Sequence, residues 1–98
     1  MTSKIFHGSR QRMMHAAQEV LKEMKMRKAS VDTQNSYIQA TRGWGFMRSG
    51  QEVEITMYAD ENRVEVAVNA ESKVKALDFG TSEYLEEEFL LRLNDRLN

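Results

Sequence analysis

The sequence predicts an α+β fold: a two-layer sandwich with an antiparallel sheet of four to five strands and two helices on one face, in the order β-α-β-β-β-β-α. Three stretches lead to it. Arg63-Val64-Glu65-Val66-Ala67-Val68 alternates apolar with mostly polar residues, the period of a strand wet on one side. Residues 51–58 alternate in the same way, with Val53, Ile55 and Met57 on one side and Glu52, Glu54, Thr56 and Tyr58 on the other. From Glu83 onward Leu85, Phe89, Leu93 and Leu97 recur at helical spacing. A sheet with one apolar face and helices with one apolar stripe each bury those surfaces most economically in two layers.

Taken in chain order, residues 4–7 are β-favourable and stop at Gly8, as an initiating or edge strand does. Ser9 is placed to cap a helix, because its hydroxyl can accept an orphan backbone N–H bond. Met13, Ala16, Ala17, Val20, Leu21 and Met24 then form one apolar helix face. Met14 and Met26 fall off that face and are expected to be partly exposed. Lys22, Lys25, Arg27 and Lys28 gather near the C-terminal end, where cations complement the helix macrodipole, so this basic cluster needs no anionic ligand. Residues 29–32 read as a second strand, Thr33-Gln34-Asn35-Ser36 as its turn and residues 37–41 as a third strand. The stretch from Gly43 to Gly50 is the least regular, since glycines interrupt any period. Asp60-Glu61-Asn62 is a short hairpin connection, and Asp78-Phe79-Gly80-Thr81-Ser82 a turn that launches the last helix. Proline is absent, so the turns rest on Gly, Asn, Asp and Ser.

Ninety-eight residues make a single domain, 1–98, with 41% hydrophobic and 30% charged residues, the balance of a folded globular chain. A net charge of −1 gives no electrostatic case for nucleic acid or an anionic membrane. Cysteine is absent, which removes disulfides, thiolate metal sites and thiol nucleophiles. No apolar run approaches the roughly 20 residues of a membrane helix, and the first residues lack the apolar stretch of a signal peptide. The expectation is a cytoplasmic protein, with no membrane and no nucleic acid among its partners.

Ile38-Gln39-Ala40-Thr41, Gly50-Gln51-Glu52-Val53 and Asp78-Phe79-Gly80-Thr81-Ser82 together resemble an uncharacterised family of small bacterial domains. That family's pattern is a strand ending in Ala-Thr, a Trp-Gly-acid turn, valine-alternating strands, and Asp-Trp-Gly-Lys-Asn before the last helix. The chain departs from it at Ser49 and Phe79, which stand for the tryptophans, and at Ser82, which replaces the asparagine. The resemblance implies a topology similar to TATA-binding-protein-like and helix-grip folds. It implies no catalytic residue, and fold alone does not choose among the ligands such folds hold.

The candidate sites follow from this frame. Asp78, Gly80 and Thr81 read first as structure: Gly80 at positive φ, with Asp78 or Thr81 capping the helix. The competing reading, an anion at that helix N-terminus, is opposed by Glu83, Glu86, Glu87 and Glu88 in the first turns. Trp44 and Phe46 either anchor a partner from the glycine-rich hairpin or fold back to complete a small core. His7 and His15 lack metal-ligand spacing. The outer sheet face should present Tyr37, Gln39, Thr41, Glu52, Glu54, Thr56, Tyr58, Glu65 and Ala67. Glutamates there oppose phosphate, whereas tyrosines with threonines suit a partly wet protein contact.

The expected function is a non-enzymatic interaction or self-association module, with an unknown protein partner or a homo-oligomer, no cofactor and no metal. Tyr37, Tyr58, Trp44, Phe46 and Glu54 form its candidate surface. A small helix-grip binder of an apolar ligand is the alternative, opposed by the large residues Met57, Phe89 and Leu93 between the layers. An enzyme ranks last: Glu52 and Glu54 at i, i+2 lie on an exposed strand face, where raised carboxyl pKa values are hard to achieve.

Overall fold

Strand alternation and helix periodicity resolve into seven elements in a computed structural model that describes residues 1–42, 50–72 and 80–97, apart from the side chains of Lys28 and Ala29. They are β1 (Thr2–His7), α1 (Arg10–Glu23), β2 (Arg27–Asp32), β3 (Tyr37–Arg42), β4 (Gln51–Asp60), β5 (Arg63–Ser72) and α2 (Thr81–Leu97). The five strands form one sheet in the order β1-β5-β4-β3-β2, with every neighbouring pair antiparallel. The chain crosses from one sheet edge to the other through α1. A meander then returns it until β5 closes on β1.

Pairing registers carry the alternation across the sheet. Ile38 lies opposite Ile55, which lies opposite Val68; Ala40, Val53 and Ala70 form a second buried row and Met57 and Val66 a third. Both helices contribute to the same core cluster as this face, with Met13, Leu21, Leu85, Phe89 and Leu93 fully buried against it. Glu23 joins the helices at their outer ends, 2.7 Å from Arg96 and 3.7 Å from Arg92.

Ser9 accepts the Arg12 backbone N–H and starts α1. The helix ends in a Schellman motif: Lys25 has φ +59°, its N–H donates to Lys22 O, and the Met26 N–H donates to Leu21 O. That motif folds the residue after the turn back over the last helical turn. Met26 is therefore buried, contrary to the expectation from helical phase. Met14 is buried as well, because α1 packs against the sheet and against α2, and two contacts make its apolar stripe wider than one face. Boundaries also differ: β1 begins at Thr2 rather than at residue 4, and β5 continues past Val68 to Ser72. β2 begins at Arg27 rather than at residue 29, with a register shift between Lys28 and Ser30, and α2 begins at Thr81.

Candidate functional site

The pleat that buries one face of β3, β4 and β5 turns the other outward, and the registers place its residues in rows. Tyr37, Thr56, Ala67 and Ser3 form one row, and Tyr58, Glu65 and Ile5 the next. Gln39, Glu54 and Asn69 lie on the far side of Tyr37, followed by Thr41, Glu52 and Glu71. Tyr58 is 59% exposed and Ile5 54%, with Glu65 between them, while Ala67 in the neighbouring row is only 8% exposed. Ile5, Tyr58, Ala59, Asp60, Arg63 and Glu65 line a shallow depression at this end.

Two pairs of polar side chains on the face hold one another. The Gln39 amide donates to Glu52, the diagonal neighbour across the β3–β4 pair. The Tyr37 hydroxyl donates to Glu54. Partial burial, then the charges of Glu54 and Glu52, then that hydrogen bond push the Tyr37 hydroxyl above its ordinary pKa. Tyr37 thus stays a neutral donor held in one orientation, while Tyr58 projects from the sheet. At the β2 end of the same row Asn35 donates from its backbone and side chain to Asp32, which holds that carboxyl below its ordinary value.

The structure brings Tyr37, Tyr58 and Glu54 onto one face and extends it with Ile5. Trp44, Phe46 and Asp78 lie outside the described residues. Gly80 has φ +81°, and its carbonyl accepts the Tyr84 N–H, so it occupies the position just before the helix. Thr81 is the first helical residue and is exposed. A Cβ on Gly80 would meet open space, so what glycine supplies there is backbone conformation.

Glu86 is the residue that sequence reasoning misplaced. Grouped by sequence with its acidic neighbours at the helix end, it turns inward instead and is only 3% exposed. One carboxylate oxygen accepts the Thr2 hydroxyl at 2.7 Å and the other the Ala70 backbone N–H at 2.8 Å. β1 begins opposite Val68, so the Ala70 N–H lies past the strand that would have paired it. The signal available was phase: Glu86 adjoins Leu85 and precedes Phe89 by one helical step, on the buried side.

Among the described residues no three His, Cys, Asp or Glu side chains gather as metal ligands, and no helix is long and apolar enough to cross a membrane. His15 lies on the exposed side of α1, 4.0 Å from Glu19.

A family model described as a protein of unknown function, DUF1499, matches residues 1–93, and the chain belongs to that family. No curated protein matches it. Among solved structures, the adenylate sensor from AMP-activated protein kinase in complex with 5-aminoimidazole-4-carboxamide 1-beta-D-ribofuranotide contains a chain that is similar, with a TM-score of 0.67 and 12% identity over 92% of this chain and 93% of that one. At that identity the likeness is one of fold.

Proposed function

We propose that this chain is a non-enzymatic interaction module whose outer sheet face holds a neutral or basic segment of another protein. The observation that carries this reading is that exposed Tyr58 and Ile5 share one continuous face with the acidic side chains Glu52, Glu54 and Glu65. Tyrosine gives a large contact area at low entropic cost and keeps a polar tip for water or a partner amide. The glutamates add attraction for Lys and Arg at the rim and repel phosphate. The same charges speak against nucleic acid. Met13, Leu21 and Phe89 fill the layer between helices and sheet, which weighs against an apolar ligand there.

The test is selection of peptides from a random display library on the domain, followed by amide shift mapping. The reading expects binders rich in Lys, Arg and apolar residues, with shifts on β3, β4 and β5. Replacing Tyr37 and Tyr58 by Ala should weaken them about 100-fold or more without unfolding the domain, as loss of central aromatic anchors does. Glu54→Gln should mainly slow association. Acidic binders, or binders indifferent to the tyrosine changes, would sink the reading.

A further inference from the structure

The β1 edge of the sheet carries a second surface. In an antiparallel ladder alternate residues turn their backbone groups to opposite sides. The Gly8 N–H donates to Asn62 O at 2.8 Å, and the register runs from Thr2 opposite Val68 to His7 opposite Arg63. Thr2, Lys4 and Phe6 therefore turn their N–H and C=O groups to β5, and Ser3, Ile5 and His7 turn theirs outward. Apolar side chains flank these outward groups on both faces. Ile5, 54% exposed, stands on the outer face; on the helix side Leu91 of α2, 62% exposed, borders a groove with Lys4, Glu87 and Leu90.

We propose that this edge is a homodimer interface, in which β1 pairs antiparallel with β1 of a second copy about a two-fold axis at Ile5, while α2 packs against the partner's α2 at Leu91. The pattern is self-complementary. With Ile5 opposite the partner's Ile5, Ser3 falls opposite the partner's His7, and every outward backbone group of the strand meets another outward group. Shifting the axis by one residue sets Lys4 against the partner's Lys4, a like-charge pair that is destabilising across strands. The opposite shift sets Phe6 against the partner's Phe6, although this side chain is buried in its own core. In the Ile5 register Lys4 lies opposite the partner's Phe6, and its ammonium already rests 5.7 Å from the centroid of its own Phe6 ring.

The helix layer fits the same axis. α2 lies across β5 and β1. With strands about 4.8 Å apart, a two-fold half a spacing beyond β1 brings the two α2 axes to about 10 Å, within the range of packed helices. Each copy also brings one cation, Lys4, and one anion, Glu87, to the groove that the pairing closes. The proposal goes beyond the outer-face reading and does not rest on it.

Sedimentation velocity over about 1 to 100 μM, a range that brackets micromolar self-association, tests it. The expected species at the top of the range has twice the 11.4 kDa chain mass. Ile5→Pro deletes an N–H that is free in the monomer and donated in the dimer, at a position where an edge strand tolerates proline. It should give a monomer with an unchanged circular dichroism spectrum. Leu91→Lys, far from any strand hydrogen bond, should independently weaken the dimer at least about tenfold by burying a charge; it decides the matter if Ile5→Pro fails to fold. Val31→Lys, at the opposite edge, and the Tyr37 and Tyr58 variants should leave the dimer intact. A wild-type monomer at every concentration, a dimer that survives Leu91→Lys, or one lost in Val31→Lys would overturn the proposal.

Discussion

The two edges of this sheet face the same hazard, since each exposes a row of backbone groups that could template another strand. They meet it differently. β2 is irregular and charged: its register shifts between Lys28 and Ser30, with exposed Arg27 at one end and half-buried Asp32 at the other. Arg10 at the start of α1 ties the β2–β3 turn down through the Thr33 carbonyl and the Ser36 hydroxyl, and Arg42 reaches from β3 to Met24 O at 3.3 Å. β1 pairs in unbroken register and has exposed Ile5 at its centre. It is secured from below, by one buried carboxylate on α2. A bulge with charges closes an edge to partners, whereas an anchored, regular edge stays available to one.

The largest effect is expected at Glu86. Glu86→Ala strands the buried Ala70 N–H and the Thr2 hydroxyl, at a cost of about 2 kcal/mol. Glu86→Gln, which keeps an acceptor, should cost less than half of that, as read by thermal or denaturant unfolding. If Glu86→Ala melts with wild type, the β1 corner is held by something other than this carboxylate, and the contrast between the edges is lost.

Arg10→Ala probes the other side. Its contacts with the β2–β3 turn are partly exposed, so the expected loss is about 1 kcal/mol. Hydrogen exchange should quicken at β2 and leave β1 unchanged. Equal quickening at both edges would show that the edges are not anchored independently.

The smallest effect is on Tyr37, whose hydroxyl titrates above its ordinary value. The folded state favours the neutral phenol, so this contribution to stability is complete below the unfolded pKa of about 10 and is lost as pH rises through the higher folded value. Among the chain's three tyrosines, ultraviolet titration should show one ionising last, and Tyr37→Phe should remove that step. Loss of an earlier step would mean that Glu54 and Glu52 do not govern the outer face.

Much of the fold was legible because its signals are local. Val53-Glu54-Ile55-Thr56-Met57 reads as a strand whatever surrounds it, since the pleat alone dictates which side each residue takes. The outer-face residues Tyr37, Glu54 and Tyr58 were legible for the same reason. Ile5 was not, because a strand as short as β1 acquires an outer face only through its register with β5. Met14 and Met26 were misjudged where packing on two sides, and a backbone turn at Lys25, overrode helical phase.

Composition, alternation and helical period by themselves determined the element order, the identity of the buried face and the acidic, tyrosine-bearing character of the opposite one. These properties depend on neighbours a few residues apart, and their physics is that of a pleat or a helical turn. Tertiary structure alone decided which strands stand at the edges, that Glu86 turns inward to a β5 amide lying past the end of β1, and that Ile5 and Leu91 flank the outer edge of β1. Each of these depends on residues far apart in the chain, Thr2 beside Val68 and Ala70 beside Glu86, and only the closure of β5 on β1 brings them together.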